Sequence, residues 1–483
     1  MLRIYVVNRL KLALTCSTLL STVTAYAQPV NQPSYTLKQS IELALTNNLR
    51  SMQSNLQVQS SAIGLKQAKA NLLPNVSANI GHGSNQGRSI DPFTNAYSNR
   101  NIDYANYSLN GGITLFSGLI LRNQLKQSSL VYQANQMEQQ QVRDNLTLDV
   151  ILNYFQVLGN EDQLKQAELQ AETSRKQVAR SKLLSKEGAI APAQLSDLMG
   201  QLANDELSII NSRNALNSSR IALARLMNVD YNRDFKVERL SSDVVHQNNA
   251  LGPDKIYQLA LEQLALVKGT ALRTESAKKA VQIARGALYP QFSLNGNLFS
   301  NYSSAAQTSR IISTQDVPTN DYVEFGGSKI PVMAQQRVTQ NSKIAYNNQI
   351  RNNYSSSIGI GIRMPIFNSL RVRNQISLAK IEVENAEIAE ESTKLQLKQA
   401  VDLAWFNFTA ANEKLQTLIR QVSYFTESFK ASEVRFNAGV GTVVDYTIAK
   451  NNLDQANLNL INARYDYLLR SQILDYYQGK LTY

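Results

Sequence analysis

The sequence predicts a membrane protein of the α+β class, built as a duplicated repeat in which one chain supplies four membrane β-strands and several long coiled-coil α-helices. Three observations favour this class. Short motifs occur twice in the same order, some segments alternate between apolar and polar residues, and the longest segments place an apolar residue at every seventh position. These patterns indicate a duplication, strands and packed helices, respectively.

The duplication is visible in motifs separated by fixed offsets. Leu73-Pro74 corresponds to Tyr289-Pro290, 216 positions later, and Gly188 corresponds to Gly439, 251 positions later. The difference of 35 residues between these offsets is an insertion in the second copy. We therefore predict a first repeat over residues 28–240 and a second repeat over residues 241–483.

Residues 1–27 have the composition of a secretory signal peptide. An apolar stretch follows several basic residues, and Ala25-Tyr26-Ala27 forms a cleavage site of the small-x-small type. A membrane anchor is the alternative, but the apolar stretch is short for a spanning helix. Cys16, the only cysteine, lies in the predicted signal, so the mature chain would have neither disulfides nor thiolate metal sites.

The charge balance is basic but does not indicate nucleic acid as a partner. The formal net charge is +12, and loss of the three basic residues of the predicted signal leaves +9. The lysines and arginines are scattered along predicted helices, and an exported protein rarely meets nucleic acid. No later apolar run is long enough for a spanning helix, so a membrane location would require strands.

Strands are predicted as one pair in each repeat, over about residues 75–116 and about residues 291–367. In the first pair, Val76, Ala78 and Ile80 alternate with small polar residues, which predicts one apolar and one polar face. The strand length suits a tilted membrane strand. The polar segments 81–102 and 301–353 are predicted to be long loops that face outside.

Each strand pair is followed by a predicted helical hairpin, over about residues 119–228 and about residues 370–478. The first helix of each hairpin would be roughly 100 Å long at 1.5 Å per residue. The returning helices carry an apolar residue at every seventh position, which predicts supercoiled packing. These seam positions are Leu195, Leu202, Ile209, Leu216 and Leu223, with Tyr446, Leu453, Leu460, Tyr467 and Leu474 in the second copy.

Four strands cannot close a barrel, yet a sheet in contact with lipid cannot leave its edges unpaired. Several copies of the chain must then share one barrel. Two copies would give eight strands and little internal space, whereas three would give twelve strands and room for a channel. The periodicity alone does not decide the number, and the size of the lumen favours three.

The chain resembles the TolC-type outer-membrane efflux family over nearly its whole mature length. The resemblance rests on the segments 73–74 (LP), 115–118 (LFSG), 186–190 (KEGAI), 435–442 (RFNAGVGT) and 462–469 (NARYDYLL). It implies a homotrimer in the outer membrane, with a twelve-stranded β-barrel that continues into an α-helical periplasmic tunnel. It also implies a passive exit duct of a tripartite efflux or type I secretion system, without a cofactor. The implied partners are outer-membrane lipid, a periplasmic adaptor and an inner-membrane pump.

The resemblance also assigns roles to particular residues. The adaptor-docking tips of the two hairpins would be Gly188, Ala189 and Ile190, and Gly439, Val440, Gly441 and Thr442. The alternative is that these residues only make the turns. Asp445 matches the position whose three copies form an acidic ring at the periplasmic aperture in the family. The family's second acid, three residues later, is Ile448 in this chain. In the first copy, the position equivalent to Ile448 is Asp197. The alternative for Asp445 is a solvated carboxylate at a helix end.

Residues for catalysis are sparse. The two histidines, His82 and His246, lie in a predicted loop and a predicted linker, which excludes a triad built on histidine or a site with several histidine ligands. No glycine-rich phosphate-binding loop is present. We therefore predict no enzymatic activity and no metal. The main rival to a channel is an exported coiled-coil spacer or adaptor protein, and an enzyme is a distant third.

Overall fold

The computed structural model describes residues 34–90, 95–99, 101–232, 235–239 and 251–480. The predicted signal peptide, His246 and the predicted boundary between the repeats lie outside these ranges. The chain forms two compact units. Of the described residues, those within 34–52, 143–256 and 401–480 form the helical unit, and those within Gln53–Val142 and Tyr257–Ala400 form the strand unit.

The elements follow one another in an order that occurs twice, apart from one additional short helix in the second half. In the first half they are β1 (Ser34–Tyr35), α1 (Leu37–Asn47), α2 (Leu49–Ala70), β2 (Asn75–Asn85), β3 (Ser89–Ile90), β4 (Tyr97–Ser98), β5 (Ile102–Ser117), α3 (Ile120–Lys186) and α4 (Pro192–Met227). In the second half they are β6 (Lys236–Val237), α5 (Pro253–Gln263), α6 (Ala265–Gly286), β7 (Gln291–Ser303), β8 (Gln307–Phe325), β9 (Ser328–Lys343), α7 (Tyr346–Asn352), β10 (Ser355–Arg363), α8 (Arg371–Asn437) and α9 (Val443–Tyr477). Among these described elements, no helix is long and apolar enough to cross a membrane.

The strand unit contains an antiparallel four-stranded sheet in the order β10-β7-β5-β2. Its register aligns Ser77, Asn110, Asn297 and Ser357 in one row across the four strands. The next row places Val76 and Ile358 at its two ends. Because neighbouring residues of a strand point to opposite faces, the sheet has one polar and one apolar face.

The prediction of a long loop over 301–353 is wrong. The segment forms the hairpin β8–β9 and the short helix α7. Its strands are exposed on both faces, so they lack the alternation that marks a half-buried strand. The sequence signal that indicates the hairpin is Gly326-Gly327, a two-residue turn with φ of 61° and 80°, flanked by residues rich in β-branched side chains. In the segment 81–102, the ends of β2 and β5 and the short pair β3–β4 replace part of the predicted loop.

A turn in the left-handed region precedes α3. Gly118 has a φ of 61° and Leu119 a φ of 64°. A Cβ atom at Gly118 would lie 2.1 Å from the carbonyl oxygen of Gly286, so this turn requires glycine for two independent reasons. The turn lets the helix begin directly after β5, at Ile120, one residue from the predicted start.

In the helical unit, α3, α4, α8 and α9 enclose an apolar core together with α1. The predicted seam is confirmed as a buried or half-buried face at all ten positions. Tyr154 is fully buried, and its hydroxyl lies 3.0 Å from the carbonyl oxygen of Tyr35 and 2.6 Å from that of Glu238. Burial raises the pKa of Tyr154, so this residue remains a neutral donor. It fixes the parallel pair β1–β6 on the helices.

Candidate functional site

The turn between α3 and α4 contains the first predicted tip. Gly188 has a φ of 75°, its N–H donates to the carbonyl of Ser185 (3.1 Å), and the N–H of Ala189 donates to that of Leu184 (2.8 Å). These bonds satisfy the last carbonyls of α3, as in the common glycine-terminated helix end. Pro192 starts the next helix, where its missing N–H has no cost. The turn is therefore specified locally by glycine and proline.

The turn between α8 and α9 contains the second tip. Gly439 has a φ of 77°, and the N–H groups of Val440 and Gly441 both donate to the carbonyl of Arg435 at 3.1 Å. A Cβ atom at Gly441 would lie 3.0 Å from the backbone nitrogen of Phe436, which leaves little space for a side chain. The tip therefore needs one glycine for its conformation and another for close packing.

The predicted tip residues thus lie in the two turns. Val440 is 72% exposed, Ala189 is exposed and Ile190 is half-buried. An apolar side chain held outward by a rigid turn is suitable for a partner, but it does not identify one. The docking role therefore stays a prediction.

Asp445 lies in the first turn of α9 and is exposed. Thr442 is the N-cap: its hydroxyl accepts from the backbone N–H of Asp445 (3.0 Å) and donates to the carboxylate (2.8 Å). A carboxylate at this position also interacts favourably with the helix dipole. Asp197 is exposed on α4. The structure shows the Asp445 carboxylate bound to the hydroxyl of the N-cap residue, and the role of both acids at an aperture stays a prediction.

A polar bridge joins the two hairpins near their turns. The Arg180 guanidinium donates to the carbonyl oxygen of Asn437 through Nη2 (2.8 Å) and to the Asn437 side-chain oxygen through Nη1. Arg180 belongs to α3 and Asn437 is the last residue of α8. A cation at a helix C-terminus satisfies carbonyls that have no partner within the helix.

An apolar cluster includes residues that neighbour this bridge along α3 and α8. Its buried members come from three helices: Val178, Leu198, Val443 and Tyr446. Two half-buried phenylalanines of α8 extend it, because the rings of Phe429 and Phe436 lie 5.5 and 5.2 Å from that of Tyr446. The cluster packs the second hairpin on the first through side chains that carry no directional bond.

Further along the same helices lies a buried ion cluster. Its centre is Lys450, which is 2% exposed and whose Nζ lies 3.0 Å from Oδ2 of Asp205 and 2.6 Å from Oδ2 of Asp454. Asp205 also accepts from the Ser174 hydroxyl (2.5 Å) and from the Gln201 amide (3.0 Å). These five residues are called the ion cluster below.

The protonation chemistry of the ion cluster is set by burial. Burial raises the pKa of Asp454 above 3.8; its bond to Lys450 opposes this effect, and the negative charge of Asp205 adds to it. The cluster holds one cation and two acids, so one carboxylate is in excess. No sequence pattern predicted this cluster. The sequence shows only Lys450 with an acid four residues later, which is the ordinary spacing of an exposed ion pair on a helix.

The polar face of the sheet is the other candidate surface. It borders an open depression of about 580 Å³, whose polar lining is formed by Asn75, Ser77, Asn110, Asn295, Asn297 and Ser357. The remaining lining residues are five glycines and two isoleucines of the same strands. Amides and hydroxyls are neutral at every physiological pH. Within the ranges that the structure describes, no group of three or more His, Cys, Asp or Glu residues could hold a metal ion.

A family of known proteins matches most of the chain. The family described as outer membrane efflux protein matches residues 40–229 and 256–480. Outer membrane protein TolC of Vibrio cholerae is 21% identical over 336 residues, covering 68% of this chain and 66% of the relative. TolC of Escherichia coli K12 is 22% identical over 332 residues, covering 68% of this chain and 60% of the relative. The chain thus matches less than two thirds of the length of these curated relatives.

Solved structures resemble the fold over a larger part of the chain. CusC superimposes with a TM-score of 0.74 at 16% identity, covering 92% of this chain and 91% of that structure. VceC from Vibrio cholerae gives a TM-score of 0.72 at 14% identity, covering 92% and 96%. The open-state channel MtrE from Neisseria gonorrhoeae gives 0.70 at 16% identity, covering 92% and 88%. At these identities the likeness shows a shared helix-rich fold of helices and strands.

Proposed function

We propose, because the chain belongs to the outer membrane efflux protein family, that three copies form the passive exit duct of a tripartite efflux or type I secretion system. The chain is an outer-membrane protein that extends into the periplasm. In the proposed assembly, twelve strands close one β-barrel, which continues into an α-helical tunnel. The repeats over 28–240 and 241–483 would each supply a strand pair and a helical hairpin to it.

The two-faced sheet is the observation that carries this proposal. Val76 is 67% and Ile358 84% exposed on its apolar face, whereas the opposite face carries amides and hydroxyls. An exposed apolar sheet face is suited to contact with lipid, and the polar face is suited to a water-filled lumen. Strands β2 and β10 each pair on one side only within the described sheet. A lipid-exposed sheet must close, so other copies must pair with these edges.

The proposed partners follow from the sheet of the strand unit and from the turns of the helical unit. Outer-membrane lipid would surround the strands. A periplasmic adaptor would dock on the tips at Gly188, Ala189 and Ile190, and at Gly439, Val440, Gly441 and Thr442. An inner-membrane pump would supply the energy, because a passive duct has no energy source of its own. The duct itself would need neither a cofactor nor catalytic residues. Three copies of Asp445 would line the periplasmic aperture, and Asp197 of the first hairpin is proposed to contribute to it.

The first test is the mass of the detergent-solubilised mature chain by light scattering, followed by conductance in a planar bilayer. We expect the mass of three chains, extraction only with detergent, and discrete conductance steps. A monomer that dissolves without detergent would refute the duct and favour the exported coiled-coil spacer. A trimer without conductance would refute an open lumen while leaving the assembly intact.

A further inference from the structure

The ion cluster is a buried network of charged and polar side chains that has no role in the proposed duct. Lys450 lies on α9, in the second hairpin, whereas Asp205 lies on α4, in the first. The bond of 3.0 Å between them therefore joins the two hairpins directly. Ser174 on α3 binds the same oxygen atom of Asp205, so both helices of the first hairpin are tied to Lys450.

The cluster lies close to the turns. Lys450 is eight residues after the N-cap Thr442, which corresponds to about 12 Å along the helix. Three layers therefore connect the hairpins in this part of the helical unit: the Arg180–Asn437 bridge, the apolar cluster around Tyr446 and the ion cluster. The ion cluster is the buried layer that restricts how the two hairpins can be placed on each other, because each of its bonds requires a particular donor and a particular acceptor.

A buried ion pair contributes little net stability, since desolvation of the charges offsets their attraction. Its main physical effect is that one arrangement satisfies the charges and others leave them unpaired. If α9 moved by one turn against α4, Lys450 would lose Asp205 and remain buried beside Asp454 alone. The apolar cluster has no comparable penalty, because one apolar contact replaces another.

We infer that Lys450 is a positioning residue, which binds Asp205 and Asp454 so that the second hairpin keeps one position on the first and both turns form a single docking surface. The docking surface rests on the proposed function. The fixed position of the hairpins does not, and it can be measured on the solubilised chain alone.

The experiment measures the distance between the two turns of one chain by double electron–electron resonance. Spin labels are attached at Glu187→Cys and Ala438→Cys, which are exposed positions beside the two glycine turns. Labelled chains are assembled with an excess of unlabelled chains, so that distances within one chain dominate. The unmodified ion cluster should give one narrow distance distribution.

Two variants test the inference, with a matched control. Lys450→Met should broaden the distribution at least about twofold, because the freed charges no longer select one position. The triple variant Asp205→Asn, Lys450→Met, Asp454→Asn contains no buried charge to destabilise the fold, and it should broaden the distribution with an unchanged melting temperature. Lys430→Met removes an exposed lysine of α8 and should leave the distribution narrow.

A narrow distribution in the triple variant would overturn the inference, because packing alone would then position the hairpins. The same conclusion would follow if Lys430→Met broadened the distribution as much as Lys450→Met. Neither result depends on conductance. Failure of the duct would appear as a solubilised chain without conductance steps, whatever the distances between the labels.

Discussion

The two acids of the ion cluster should differ in their importance for stability, although both bind Lys450. Asp205 accepts three bonds, from Lys450, Ser174 and Gln201, whereas Asp454 has its short bond of 2.6 Å to Lys450 on the same helix. We therefore expect Asp205→Asn to be strongly destabilising and Asp454→Asn to be nearly neutral.

The magnitudes follow from burial. Both side chains are largely buried, with 8% and 18% exposure, so solvent screening is weak. Loss of the Asp205 charge breaks a buried pair and weakens two further bonds, at a cost of about 2–4 kcal/mol. Loss of the Asp454 charge removes one charge-assisted bond but also the excess buried carboxylate, and the net cost should be below about 1 kcal/mol.

Thermal unfolding of the detergent-solubilised protein, followed by circular dichroism, measures this difference. A change of 1 kcal/mol shifts the melting temperature of a unit of this size by about 2–4 °C, so Asp205→Asn should lower it by about 4–16 °C. Equal shifts for the two variants would refute the reasoning, since they would show that the shared lysine alone decides the cost.

The pH dependence gives a second check on Asp454. Its pKa is raised in the folded protein, so the folded state binds a proton more readily than the unfolded state. The folded state should therefore gain stability as the pH falls through the raised pKa, with the full gain reached near the ordinary value of 3.8. Asp454→Asn should lack this gain, and an identical pH profile in both proteins would contradict the assignment.

Further predictions concern the turns. Gly188→Ala and Gly439→Ala should each lower stability by about 1 kcal/mol, because both glycines have a positive φ. Gly200→Ala, inside α4, should raise stability by up to about 1 kcal/mol. The melting temperatures of the three variants test these expectations. Thr442→Ala should cost about 1 kcal/mol through loss of the N-cap, and an unchanged melting temperature would argue against the cap. Asp445→Ala should alter single-channel conductance or its pH dependence, and the same conductance from about pH 5 to 8 would remove Asp445 from the aperture.

The long helices could be predicted because their signals are local and repeated. The seam of α4 recurs every seven residues, and glycine, proline and threonine mark the ends of the helices. The strand pairs could be predicted because the two faces of their sheet differ in polarity, so apolar and polar residues alternate along each strand. The hairpin β8–β9 could not, since exposure on both faces removes that alternation and leaves Gly326-Gly327 as the signal.

The ion cluster could not be predicted for a different reason. Lys450 and Asp205 are separated by 245 positions, and nothing in either local sequence identifies the other as its partner. A lysine on a helix is usually solvated, so composition favours an exposed position. Only the packing of α9 on α4 shows that Lys450 is buried. Chemistry assembled across distant helices therefore lies beyond what periodicity predicts.

The duplication itself gives a reason for such a cluster. At the offset of 251 that relates Gly188 to Gly439, Lys450 corresponds to Met199 and Asp205 to Ala456. Two hairpins with similar apolar seams can pack in more than one way, because such seams discriminate poorly between partners. Lys450 of the second hairpin meets Asp205 of the first in only one arrangement of the two hairpins. We therefore expect the neutral triple variant to be as stable as the unmodified protein and less uniform in the pairing of its hairpins.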